Sequence, residues 1–470
     1  MASRSKKRSS NSSASPYQQK QVIPYPSASA KNILFAKAWA AYTLADSLCK
    51  DMLDDLRNVF PRKSADSFYA LSLMLAANPN LKLDDVQNAY DQSVLADWFG
   101  KRDYSRSALA KFLKDDDWEE DYRSLFLKKR IKSASKQMPL LLMQCDYHME
   151  RDETHCSVFS RSSCRSDAAV HINALCAFDL TNMEPVCSQI PYSYLSRENW
   201  RTFIEKYSFP SCIFDTRLSQ SSDAQALLQD CSNLHFLRPA DRQKAIDECD
   251  SLLVFDGTLP SSKVSSIKEP VRCSKRKCAK TGTYFYTFSD PTLYKQERDA
   301  WWKDRKFTRA NEKRFDEICN QLGILVFESD LDLPVDVIWL IVSENSWIDD
   351  LLCAFQPWNT EFTLDDLYPD KHFRYEEIVQ SDDDSEWYDE DVDILRQGEL
   401  FLNLLAAIVL CRLCRCFDKA DLLYDRTYRD VLYILEATCL APYSNGDSTI
   451  WQTVIPAPEV LSVLKALELL

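Results

Sequence analysis

Residues 139–147 read PLLLMQCDY: a proline, four large apolar side chains in a row, and then Asp146. An apolar run of this length behind a turn residue predicts a strand buried on both faces. The texture of the chain changes here. After it come THCSVFSR (154–161), AAVHINALCAFDL (168–180) and PVCSQIPYS (185–193), short β-rich runs of strand length. RENWRTFIEKYS (197–208) predicts a helix, SCIFD (211–215) a strand ending on Asp215, and SSDAQALLQDC (221–231) another helix. Sequential strands followed by helix–strand–helix alternation predict a mixed α/β domain.

Upstream the period is helical. KNILFAKAWAAYTLADSLCKDML (31–53) spaces its apolar residues three and four apart, Pro61 interrupts, and the pattern resumes through SADSFYALSLMLAANPN and LKLDDVQNAYDQSVLADWF. Ser105 or Ser107 is placed to cap a helix through ALAKFLKDD. Downstream, LLVFDG (252–257) and GTYFYTFSD (282–290) predict strands around a Lys/Arg-rich loop, and residues 292–322 predict one charged helix. GILVFESD (323–330) returns to a buried strand, and a long apolar helix opens at Pro334 and runs through Asp349. The acidic stretch SDDDSEWYDEDVD (381–393) predicts an exposed loop. The run LFLNLLAAIVLCRLCRCF (400–417) contains Arg412, Arg415 and Asn403, so a buried core helix is expected rather than a membrane span.

A chain of 470 residues exceeds what one core usually supports, and two or three domains are expected. With only 6 glycines it contains no GxxxxGK[ST], GxGxxG or GxSxG, which excludes the usual phosphate loops and the commonest serine-hydrolase elbow. The 17 cysteines are scattered and odd in number, as expected of free thiols in a reducing compartment. The first thirty residues are basic, polar and Ser-rich, which predicts a disordered tail. A net charge of −14 argues against nucleic acid, but its distribution does not. Residues 1–140 have a balance of +7, residues 263–314 of +9, and residues 361–400 of −12. Backbone binding needs local basic surface rather than a basic total.

The order of these parts resembles the DDE transposases of bacterial insertion sequences, in the insertion-sequence-four group. The resemblance covers roughly residues 30–440 and rests on order and local context. It implies a helical N-terminal DNA-binding domain (31–137) after a tail (1–30). A ribonuclease-H-like core would begin at 138–231, a β-containing insertion domain would occupy 232–323, and the core would resume over 324–440 with an acidic loop at 376–399. A C-terminal tail or helix (441–470) would follow. Asp146 and Asp215 stand at the family's first and second catalytic Asp. In the family's third segment a Tyr, an Arg, a Glu and a Lys are expected; here Val342, Asn345, Asp349 and Gln356 stand at those places. Displacing the alignment makes Glu344 or Asp350 the acidic member. The resemblance further implies a cytoplasmic, nucleoid-associated prokaryotic protein, with element terminal inverted repeats and target DNA as partners, a homodimer in the DNA complex, and no membrane.

Phosphodiester attack is accelerated by two Mg²⁺ (or Mn²⁺) ions roughly 4 Å apart, held by carboxylates. Asp146, Asp215 and Asp349 are therefore the expected catalytic and metal-ligating set. Asp is shorter than the Glu it replaces, and misplacement of about 1 Å costs around 10²-fold in rate. A decayed or non-catalytic DNA-binding relic is the alternative. A strand-end Asp also serves as an ordinary turn or helix cap. The basic residues expected to contact DNA are Lys101, Arg102, Arg106, Lys275, Arg276, Lys277, Lys303, Arg305, Lys306 and Arg309. The competing reading of Trp301 and Trp302 is an amphipathic helix packed through its tryptophans. His148, His155 and Cys156 have no regularly spaced fourth ligand, and Cys273 and Cys278 form half a metal site at most, so zinc is not expected.

Overall fold

The computed structural model describes residues 36–114, 120–134, 136, 138–150, 169–189, 197–249, 252–259, 270–303, 305, 308–352, 354, 362, 366, 384–445, 448–454 and 458–470. The N-terminal tail, the run at 154–161 and residues 376–383 lie outside them.

A short strand β1 (Lys37–Ala38) leads into six helices: α1 (Ala40–Val59), α2 (Arg62–Ala77), α3 (Val86–Asp91), α4 (Leu95–Phe99), α5 (Arg106–Lys114) and α6 (Glu120–Ala134). Then come β2 (Leu140–Glu150), β3 (Ala169–Asp179), β4 (Glu184–Gln189), α7 (Arg197–Tyr207), β5 (Cys212–Phe214), α8 (Ser222–Asp230) and β6 (Leu234–Pro239). The next group is α9 (Arg242–Glu248), β7 (Gly257–Leu259), β8 (Val271–Lys277), β9 (Tyr284–Ser289), α10 (Pro291–Lys303), α11 (Arg309–Ile318) and β10 (Ile324–Ser329). The chain ends with α12 (Val335–Leu352), α13 (Asp384–Lys419), α14 (Tyr428–Glu436), β11 (Cys439–Asn445), β12 (Ser448–Val454) and α15 (Pro458–Ala466).

Nine strands form one mixed sheet in the order β4-β3-β2-β5-β6-β10-β9-β8-β7. Strands β2, β3 and β4 pair antiparallel, while β2, β5 and β6 run parallel with α8 as a crossover. Numbered by appearance, the first five strands have the order 3-2-1-4-5 with the second reversed, which is the ribonuclease-H-like arrangement. The sequence explains why β2 is central. Leu140, Leu141, Leu142 and Met143 are all fully buried, as a strand with neighbours on both edges and cover on both faces requires. The α/β fold expected from the sequence is therefore observed.

The segment after β6 extends this sheet: β10 pairs antiparallel with β6, and β9, β8 and β7 follow. The fifth core strand, β6, thus lies beyond residue 231, where the insertion is expected to begin.

Three local expectations are corrected. Residues 384–399, expected in an acidic loop, are the first turns of the 36-residue helix α13. Acidic residues at a helix N-terminus interact favourably with the backbone dipole, and the apolar stretch behind them supplies the packing. Residues 292–322 form two helices rather than one, because Thr308 caps α11 by accepting a hydrogen bond from the Asn311 amide. The strand expected at 252–257 forms only from Gly257. Leu252 instead packs in a small cluster with Ala245, Cys249, Cys278, Phe285, Ile324 and Val326.

The apolar helix expected as a core element is one. The span Gln397–Lys419 is long and apolar enough to cross a membrane, yet 78% of its apolar 18-residue window is buried inside the fold. Helix α13 packs against α1, α2, α5, α12, α14 and β4. One continuous hydrophobic core runs from Trp39 to Leu467.

Candidate functional site

Strand β5 contributes three buried residues, Cys212, Ile213 and Phe214, and the chain leaves the sheet at Asp215. The Asp215 amide donates to the Leu142 carbonyl of β2 at 3.1 Å, so the residue is anchored against the central strand. Its carboxylate is fully buried. Oδ1 accepts the Leu218 amide at 2.7 Å, and Oδ2 accepts Nε of Arg217 at 3.3 Å. Ser219 donates its hydroxyl to the Asp215 carbonyl at 2.8 Å and accepts the Leu237 amide of β6 at 3.3 Å. Asp215 thus caps the turn between β5 and α8, and Ser219 pins that turn to the next strand. Burial also pushes the neighbouring Cys212 thiol well above its ordinary range.

Asp146 lies on β2, opposite Asn173 of β3. Leu142 pairs with Phe214, so Met143 is level with Asp215 and Asp146 is three residues further on. At roughly 3.3 Å per residue that is about 10 Å along the strand. Asp349 belongs to α12, which packs against β2 and buries Ile338 and Ile341. The fold therefore makes the three carrier elements neighbours, while the strand register leaves Asp146 and Asp215 at different levels. The side chains of Asp146, Glu344, Asn345, Asp349 and Asp350, and all of Gln356, lie outside the described residues. Val342 is half-buried against the core.

Magnesium would need several oxygen ligands of which one or two are carboxylates. The described side chains offer Asp215 alone, and its oxygens already accept an amide and face a guanidinium. They do not by themselves make up the expected donor set. Among the described residues, no group of three or more His, Cys, Asp or Glu is placed to hold a metal. Cys273 is buried in the main core and Cys278 in the small cluster; His155 and Cys156 lie outside the described residues.

The basic residues fall into two kinds. Arg102 is turned into the protein, donating to the carbonyls of Lys63 (2.6 Å) and Phe99 (3.2 Å), to the Ser67 hydroxyl (2.9 Å) and to Asp66 (3.3 Å). Its side chain is 9% exposed, so it braces the helices rather than facing solvent. Arg106 bridges Asp84 and Asp366. Lys275 pairs with Asp332 and donates to the Leu333 carbonyl, and its hydrogen bond holds the Asp332 carboxyl below the usual range. Arg276 pairs with Asp256 and donates to the Val254 carbonyl. The exposed set is Lys101, Lys277, Lys303, Arg305 and Arg309, with Lys277 lying over the Tyr284 ring and Arg305 over Trp301. Lys306 lies outside the described residues.

Trp301 and Trp302 stack edge-on at 4.6 Å and both contact Phe315 of α11. These three rings join α10 to α11, so the packing role of the tryptophans is satisfied within the hairpin. Arg217, in contrast, is a residue at the centre of the site that the sequence argument passes over. Its signal was its position two residues after a strand-end Asp, from which a long side chain can reach back.

No family model matches the chain, and no curated protein matches it either. Among solved structures, a piggyBac transposase synaptic complex with hairpin DNA aligns at a TM-score of 0.30 and 11% identity, over 80% of this chain and 70% of that one.

Proposed function

We propose that this chain is a transposase-like protein of the insertion-sequence-four type. On this reading it binds the terminal inverted repeats of an element and performs metal-dependent phosphodiester cleavage and strand transfer. Asp146, Asp215 and Asp349 would be its acidic residues, with Mg²⁺ or Mn²⁺ as cofactor. The observation that supports the reading is topological. Asp215 leaves the carboxyl end of the fourth core strand, hydrogen-bonded to the strand that bears Asp146, and the helix bearing Asp349 packs on that same strand. Ligand sites of open sheets with parallel strands gather at the carboxyl ends of those strands.

A second reading, a non-catalytic DNA-binding or assembly protein on the same scaffold, is favoured by two observations. The offset of about 10 Å along β2 separates the levels of Asp146 and Asp215, and Arg217 already engages the Asp215 carboxylate. The readings separate in one experiment. The full chain is incubated with duplex DNA carrying the repeats that flank its reading frame, in Mg²⁺ and in Mn²⁺, and nicked and joined products are resolved on a denaturing gel. Products that vanish in Asp146→Ala support the enzyme. Sequence-specific binding with no product in either metal supports the scaffold, and failure to prefer the repeats over unrelated DNA sinks both.

A further inference from the structure

Strand β1 pairs with β11 through Lys37–Leu440 and Ala38–Cys439, and the Trp39 amide donates to the Thr438 carbonyl. Helix α14 leads into this seam; it packs against α1, α13 and α15 and buries Val431, Leu432 and Leu435. Glu436 is its last residue. The Glu436 side chain is half-buried, and its Oε1 accepts the side-chain amide of Asn78, just past α2, at 2.8 Å. The Asn80 backbone amide donates to Oδ1 of Asn78 at 3.2 Å, which sets the orientation of that amide group.

No cation pairs with Glu436 among the described residues. Arg426 pairs with Glu459 of α15, Arg412 of α13 with Glu184 and Asp51, and Lys50 of α1 with Asp46. Arg415 and Lys419 of α13 act on the Cys414 and Cys416 thiols, and Lys465 of α15 is exposed. The titratable groups that face Glu436 are the buried Tyr42 of α1 and the half-buried Cys439 of β11. Burial and then the Glu436 charge push both of them up, so both stay neutral near pH 7.

We propose that Glu436 makes this seam a pH-responsive latch, tight when its carboxyl is protonated and looser when it ionises. An ionised carboxylate there has one hydrogen bond from a neutral amide and no counter-charge, a costly state for a group withdrawn from water. Burial accordingly raises the carboxyl above its usual range, and the Asn78 hydrogen bond only partly offsets this. A raised carboxyl contributes stability that is present below its unfolded value, about 4.3, and is lost as the pH rises through the folded one. The loss falls on the seam, because α14, β1 and β11 meet there and can open locally while the sheet stays intact. This inference is independent of the functional reading above.

Hydrogen exchange of the full chain, read by mass spectrometry over peptides spanning 36–44 and 432–441, tests it. Wild type and Glu436→Gln are compared at matched pH between about 4 and about 8, so that the chemistry of exchange cancels. Gln keeps the Asn78 hydrogen bond and cannot ionise. Near pH 8 the variant should protect both segments about fivefold better than the wild type, and the ratio should fall to one at the acid end. Peptides from β2 and β5 should exchange alike in both proteins. Asn78→Ala, which removes the single donor, should cost the seam more protection at the alkaline end than at the acid end. Circular dichroism melts verify that both variants fold. A ratio of one throughout, a ratio that ignores pH, or an equal change in β2 and β5 overturns the proposal. An Asn78→Ala loss that is the same at both ends does so as well.

Discussion

Glu184, the first residue of β4, is buried between two arginines. Arg412 of α13 meets both its oxygens at 2.8 and 3.1 Å, and Arg130 of α6 donates to Oε1. Arg412 continues to the Leu48 carbonyl and to Asp51 of α1. One guanidinium thereby ties α13 to α1 and to the edge strand β4 of the sheet. Glu184→Ala would leave two mostly buried arginines facing each other, and should lower unfolding stability by about 3–5 kcal/mol, read as a shift in the urea midpoint. Asp51 adds a pH dependence. Burial raises its carboxyl, but the hydrogen bonds and charge of Arg412, with the charge of Arg130, outweigh that and hold it below the usual range. A depressed carboxylate contributes stability that is present above its unfolded value, about 3.9, and is lost as the pH falls through the folded one. The stability difference between wild type and Asp51→Asn should therefore shrink as urea titrations move from about pH 6 to about pH 3. A constant difference would remove the ion pair from the account.

At the scale of elements, close approach decides where α13 can lie. Gly398 sits against α5 such that an added Cβ would stand 2.1 Å from the Leu113 carbonyl oxygen, a backbone atom. Gly398→Ala must push the helices apart and should cost about 3 kcal/mol; an unchanged melting temperature would mean that α5 is free to retreat. Helix α14 tests a different force. Thr427 and Asp430 form a capping box, and Thr427→Ala should cost about 1 kcal/mol. The strands of the core were legible because β2 and β5 are apolar runs with a clear end, and the order of elements followed from them. The start of α13 was not, because its first turns are acidic and the favourable term is a backbone dipole with no hydrophobic period. The hairpin of β11 and β12 was legible in principle: Gly446-Asp447, the two residues between the paired Asn445 and Ser448, is a two-residue turn signal in the sequence. At the site, the position of Asp215 at a strand end could be read directly. The level of Asp146 could not, since it depends on the register between β2 and β5, and neither could the return of Arg217, which depends on the geometry of the turn.

For the molecule as a whole, the two ends of the described chain are built into each other. Strand β1 pairs with β11, the Trp39 amide donates to the Thr438 carbonyl, and Asn78 donates to Glu436 at 2.8 Å. Helix α2 buries residues on every side, from Ala65 through Ala77 without interruption, against α1 and α13. A helix that is buried all round cannot be stable once its cover is removed, because it would expose a continuous apolar surface. The N-terminal helices thus share their core with residues more than three hundred positions away, although their sequence period reads as a domain of its own. It follows that a fragment of residues 31–137 should fail to fold autonomously: its amide proton spectrum should be collapsed and its surface should bind a hydrophobic dye, whereas the full chain should lose its helices together with its sheet. A dispersed spectrum and a cooperative melt from that fragment would restore an independent helical domain. The shared core would then be a docking interface between two separately stable units, and the arginine network around Glu184 would act as their clasp.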